Sequence, residues 1–222
     1  VELMALLKEI EQVQEPDIRR FLEAVFSAII ITKSGGVSLA RDLAHTRPHR
    51  VQDKKPRSAL EEYRKRLSKN LDSLVSLMFG DGVVDIVRGD ARNLALGDQT
   101  VDLIVTSPYA SNAIDYIRAH KFSLVWLGYS LDGLSRLRQE YVGHDAVRGY
   151  RMAELPDYAG RVVAEVNRVD QNKAKVLHRY YSEMTCCLTE MVRVLKPGKA
   201  AIVVVGSSTM RGVDTRNRCL LG

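Results

Sequence analysis

An apolar run, Val101-Asp-Leu-Ile-Val105, stops abruptly in Thr106-Ser107-Pro108-Tyr109, and no other stretch of the chain limits its fold so tightly. A short apolar run bounded by a turn reads as a buried parallel strand. Pro108 fixes its own φ, so the chain must turn there. Open α/β sheets hold their substrates just beyond the carboxyl ends of strands. A hydroxyl, a rigid carbonyl and an aromatic ring therefore stand where a substrate would be held. Upstream, Val83-Val-Asp-Ile-Val87 predicts a second strand, closed by Arg88-Gly-Asp-Ala91. Downstream, Ala200 to Val205 predicts a third, ending in Gly206-Ser-Ser208.

Helical spacing frames these strands. Leu3, Leu6, Leu7 and Ile10 make one face. Pro16 opens a second helix, with Ile18, Phe21, Leu22, Val25, Ala28 and Ile29 recurring at three and four. A longer helix follows Ser58, its expected N-cap, with Leu60, Tyr63, Leu67, Leu71, Leu74, Val75 and Met78 as its stripe. Residues 113–129 predict a helix, and residues 130–172 a loop-rich insertion with short helices. Lys173 to Leu195 is strongly amphipathic through Leu177, Tyr180, Met184, Leu188 and Met191, and Lys196-Pro-Gly-Lys199 stops it. Two domains are expected: a helical, basic segment over 1–79 and an α/β core over 80–222. The fold class is α/β, a parallel sheet covered on both faces.

Charge is unevenly placed. The net +6 of the 222 residues is matched by Arg41 to Lys69 alone, where ten Lys/Arg meet four Asp/Glu. Such a segment suits a phosphate backbone, with Arg47, Arg50, Lys54, Lys55 and Arg57 as its candidate contacts. A solvated helix face with an exposed loop would look the same. Arg118 and Lys121, on the helix after the strand-end turn, are further candidates. No run of eighteen apolar residues is present, which excludes a spanning helix. Three cysteines, two of them the adjacent Cys186 and Cys187, form neither a disulfide framework nor a metal-ligand spacing. A reducing cytoplasm is the expected setting. The start, Val1-Glu-Leu-Met, lacks an initiator Met and a signal region, as the interior of a longer protein would.

Strand, Gly-Asp-Ala, strand, Ser-Pro-Tyr is an order that resembles the amino-methyltransferases of nucleic acids, the DNA adenine-N6 and cytosine-N4 enzymes and related RNA enzymes. The resemblance spans roughly residues 83–210. It includes Ile114-Asp-Tyr116, Trp126-Leu-Gly128 and the Val194-Leu-Lys-Pro-Gly198 junction. It implies a partial Rossmann-like class I methyltransferase sheet with a helical N-terminal segment, and S-adenosyl-L-methionine as cofactor. It further implies that Ser107 and Pro108 orient an exocyclic base amine, that Tyr109 stacks the base, and that Asp90, Ala91 and Ser107 line the cofactor. No metal is implied, because the cofactor carries the charge. The chain departs from the family at two points. It has one proline where the family has two, and no Phe-Gly-x-Gly turn; Ser34-Gly-Gly36 lacks the spacing.

The function expected is site-specific DNA amino-methylation. RNA base methylation, at guanine N2 or adenine N6, is the alternative enzyme reading. A catalytically silent nucleic-acid-binding domain is the alternative from another class. Asp90 alone, without its context, is an ordinary turn or N-cap aspartate.

Overall fold

The computed structural model describes residues 1–31, 37, 57–77, 82–108, 115–143 and 153–215. They fall into two compact units, one of residues 1–84 and 115–137, the other of 85–114 and 138–222.

In the first unit, α1 (Glu2–Glu11), α2 (Pro16–Ile30), α3 (Ala59–Leu77) and α4 (Tyr116–Trp126) follow their apolar spacing. Leu7, Ile10, Val25, Phe26, Ile29, Ile30, Ala59 and Tyr63 form its core. Phe26 meets Trp126 edge-on, ring centroids 6.0 Å apart at 73°, a geometry that adds to simple burial. Ile18, expected on the buried face of α2, is exposed, while Phe26 and Ile30 take that face instead. Ser58 stands at the N-terminal end of α3, its C=O accepting the Glu62 N–H at 3.2 Å, but its hydroxyl turns to α1. Ser58 Oγ donates to Glu2 Oε2, and the same carboxylate accepts the Ala59 N–H at 2.6 Å. The first turn of α3 is thus capped from α1, satisfying an N–H the helix cannot bond itself. Beyond Leu67 the stripe of α3 is bare, with Leu71, Leu74 and Val75 exposed.

The second unit holds β1 (Val101–Thr106), α6 (Asp157–Val169), α7 (Gln171–Val194), β2 (Leu195–Val203) and a hairpin of β3 (Thr209–Met210) and β4 (Val213–Asp214). Helix α5 (Leu131–Glu140) buries Leu134. The core of the second unit packs α6 against α7 through Ala159, Val162, Val166, Leu177, Tyr180, Tyr181 and Met184, closed by Met210 and Val213 of the hairpin. Helices α5 and α6 are the short helices expected within the loop-rich stretch 130–172, of which residues 144–152 are not described. The hairpin turns at Arg211 and Gly212, both with positive φ, as a two-residue turn requires. The adjacent cysteines of α7 read most simply as small buried residues; Cys187 is buried, but Cys186 is exposed.

Strands β1 and β2 pair in parallel, with Leu103 opposite Ala200, Val105 opposite Ile202 and Thr106 opposite Val203. A parallel pair joined through a long helix is compatible with part of a Rossmann-like sheet. Lys196 to Lys199 lie in β2 as an irregularity opposite Asp102, whose carboxylate takes Lys196 Nζ at 2.8 Å and Lys199 Nζ at 3.4 Å. Gly198 sits there at φ +74°, open to glycine without strain. Two expectations fail. Residues 83–87 form no strand: Val83, Val84, Ile86 and Val87 are 73–98% exposed and pair with nothing among the described residues. Strand-forming side chains do not make a strand without a ladder to join. Nor is the sheet covered on both faces. Leu103, Val105, Ile202 and Val204, on one face by register, are each more than half exposed.

Candidate active site

The end of β1 and the turn at Asp90 both belong to the second unit. Ser107 is exposed and Pro108 half-buried, immediately past the last paired residue of β1. Ladder bonding continues one step, with the Val204 N–H donating to Thr106 O at 2.9 Å. The next polar group is the Ser107 hydroxyl, which donates to Val204 O at 3.2 Å. That bond uses the only proton on Oγ and leaves its lone pairs as acceptors. A rigid strand end therefore presents an exposed oxygen whose direction β2 fixes.

Asp90 to Asn93 form a tight turn, the Asn93 N–H donating to Asp90 O at 3.0 Å. The Asp90 carboxylate accepts the Arg92 backbone N–H at 2.9 Å, the self-bonded turn that aspartate favours. It also accepts the Arg92 side chain, Nε to Oδ1 at 2.9 Å and to Oδ2 at 3.1 Å, and Nη2 to Oδ2 at 2.8 Å. Hydrogen bonding from Arg92 holds this carboxyl below its ordinary range. Ala91, between them, is exposed.

Arg92 reaches further. Its Nη1 donates to Glu183 Oε1 at 3.0 Å and its Nη2 to Glu140 O at 3.2 Å. Glu183, buried on α7, also accepts Arg179 Nε at 3.0 Å and the Gly143 N–H at 2.6 Å. A buried carboxylate in contact with two guanidinium groups and an amide is a satisfied one. Two turns along α7, Glu190 Oε2 accepts the Leu94 N–H at 2.8 Å. Beside it, Arg193 binds Glu190, Asp98, Leu94 O and Leu96 O. Helix α7 thus clamps the connection from Asp90 to β1 at two places. Sequence reading missed both clamps, although Arg92 two residues after Asp90 and the Glu183/Glu190 pair at a spacing of seven were visible.

Arg193 and the Leu94 N–H hold the Glu190 carboxyl at about 2, against an ordinary value of 4.5. A depressed carboxyl stabilises the fold fully above its unfolded value and loses that contribution as pH falls through the folded one. The expected outcome is a Leu94 amide protection factor that holds down to about pH 4.5 and falls toward pH 2. Hydrogen exchange followed by NMR measures it, and protection unchanged across that window contradicts the clamp.

Of the candidate nucleic-acid contacts, Arg57, Arg118 and Lys121 are described, and all three are exposed residues of the first unit. Arg57 lies 3.5 Å from Glu62. Arg118 and Lys121, three apart on α4, are neighbours on its surface; Asp115 caps that helix through the Arg118 N–H. Tyr116 and His120 stack on the same helix at 6.5 Å. Tyr109, Arg47, Arg50, Lys54 and Lys55 lie outside the described residues, as does Ser34-Gly-Gly36. Among the described residues no group of three or more His, Cys, Asp or Glu is placed to hold a metal ion. Burial pushes the Cys187 thiol up to about 11, unlike a nucleophilic cysteine. No described helix is long and apolar enough to cross a membrane.

No protein-family model matches the chain, and no solved structure matches it. Curated proteins do. The chain is similar to the type II methyltransferase M.BsoBI of Geobacillus stearothermophilus, 24% identical over 155 residues. That match takes in 55% of this chain and 30% of the relative. The type II methyltransferases M.AvaI of a Nostoc species and of Anabaena variabilis are each 24% identical over 131 residues, 51% of this chain and 27% of theirs. The chain thus spans less than a third of the length of these relatives. A distant methyltransferase relationship over about half the chain is what they support.

Proposed function

We propose that this chain carries the amine-orienting part of an S-adenosyl-L-methionine-dependent DNA amino-methyltransferase. The observation that carries the reading is the Ser107 hydroxyl, exposed at the end of β1 with its proton donated to Val204 O. An exocyclic base amine is a weak nucleophile, because its lone pair is spread into the ring. Acceptors aimed at its two N–H bonds favour a pyramidal nitrogen with that lone pair localised. Ser107 Oγ is one such acceptor, and the backbone carbonyl fixed by Pro108 is the other. Neither has to reorganise as the reaction proceeds, and fixed dipoles are the effective kind. Tyr109 would stack on a base drawn out of its helix. Arg118 and Lys121, with Arg57 and the basic residues 47–55, would meet the phosphate backbone.

S-Adenosyl-L-methionine supplies, when bound, a methyl group on a positively charged sulfur. The residues here fit part of it. Three N–H groups of Arg92 make four hydrogen bonds to the Asp90 carboxylate, the longest being the shared Nε contact to Oδ2 at 3.1 Å. The side chain is 47% exposed, and a single N–H donor such as an adenine amine would take the place of that shared contact. Ala91 would lie against the same ring.

Transfer of tritiated methyl from labelled cofactor onto duplex DNA, with transfer RNA as the parallel acceptor, tests the reading. Counts on DNA bear it out; counts on RNA alone favour the RNA enzyme. A gel shift with steep salt dependence and no transfer to either acceptor favours the silent binding domain.

A further inference from the structure

The Asp90 turn is built unlike a loop that merely ends a segment. Its carboxylate is gripped by a planar fork, and the same guanidinium is gripped from behind by a buried carboxylate on α7. Arg92 is itself only 27% exposed at its side chain. Three groups thus stand in line: Asp90 at the surface, Arg92 beneath it, and Glu183 below, braced by Arg179 and the Gly143 N–H.

We propose that Arg92 is the positioning residue of the cofactor site, fixing the Asp90 carboxylate through its fork and tying that carboxylate to α7 through Glu183. The assignment rests on the cofactor reading of Asp90 given above. Arg92 does not touch the cofactor in this scheme. Its four hydrogen bonds to Asp90 fix the plane of the carboxylate, so an arriving donor finds that carboxylate already oriented. A lone exposed aspartate would lose rotamer freedom on binding; this one has lost it on folding. The planar fork matters as well as the charge, because a lysine in its place is a point charge on a flexible stem.

Calorimetric titration with S-adenosylhomocysteine, run on the wild type, Asp90→Asn, Arg92→Lys and the double variant, tests this. Arg92→Lys keeps a charge facing Glu183 but gives up the fork that also reaches Glu140 O, so thermal unfolding is followed beside each titration, and affinity is read well below the transition. Its affinity should fall about tenfold, the equivalent of one charge-assisted hydrogen bond. Asp90→Asn should fall at least as far, and the double variant no further than Asp90→Asn alone, since both changes remove one interaction. Wild-type affinity in Arg92→Lys overturns the assignment, as do losses that multiply in the double variant. A wild-type chain with no affinity for the probe overturns the cofactor reading instead. The Arg92 Nε–H resonance then judges the grip by itself. Slow exchange with water in the wild type, made fast by Asp90→Asn, supports it, and fast exchange in the wild type sinks it.

Discussion

Ser107→Ala is expected to lower methyl transfer onto duplex DNA by about a hundredfold, the usual consequence of deleting one fixed polar group aimed at a reacting centre. The loss should fall on the rate at saturating DNA and cofactor, because the acceptor matters most when the amine pyramidalises. Stability should barely move. The side chain is exposed, and its one hydrogen bond, to Val204 O, ends at a strand terminus open to water. Ser107→Asn, which restores an acceptor oxygen, should retain a measurable fraction of the rate. Single-turnover transfer of tritiated methyl, alongside circular dichroism of each variant, measures both quantities. An alanine variant as fast as the wild type removes Ser107 from the chemistry.

The second large effect concerns the first unit. Phe26 is fully buried and meets the chain's single tryptophan, Trp126, edge-on at 6.0 Å. Phe26→Ala removes its buried surface and leaves a hole that Val25, Ile29 and Ile30, each β-branched, fill poorly. A loss of about 3–5 kcal/mol is expected. Trp126 fluorescence reports the first unit selectively, so urea unfolding followed at that wavelength should move sharply. Leu177→Ala, in the core of the second unit, should leave the tryptophan transition nearly unmoved. If both substitutions shift it equally, the two cores are not separate cooperative units.

The sequence made some of this architecture legible and hid the rest for identifiable reasons. Amphipathic spacing predicts α2 from Pro16 and α7 across Leu177, Tyr180 and Met184, because each presents one apolar face to a core. The same is true of β1, whose sudden stop at Pro108 is a local signal. Val83 to Val87 misled because its composition is that of a strand while pairing is a property of neighbours. The Glu2 contribution to the cap of α3 was invisible for the opposite reason: Glu2 and Ala59 are 57 positions apart, and nothing near Ser58 announces an acceptor from α1. Residues 157–169 fell within a segment read only as loop-rich with short helices, because Pro156 and several glycines blur the helical spacing of Val162 and Val166. At the candidate site, Ser107 and Asp90 stand out as residues. Arg92 and Glu183 do not, because a buried ion pair has no periodicity to betray it.

The two grips that α7 keeps on the Asp90-to-β1 connection have a mechanical consequence. Glu183 and Glu190 ride on one stiff rod, about 10 Å apart by its rise. The backbone between the two held points, from Arg92 to Leu94, is two steps long and reaches about 7 Å when drawn straight. It is a short stay between two fixed cleats, with the Arg92 side chain making up the difference. Lengthening it at Asn93 would loosen the stay, whereas twisting the rod would carry both cleats, and everything moored to them, together.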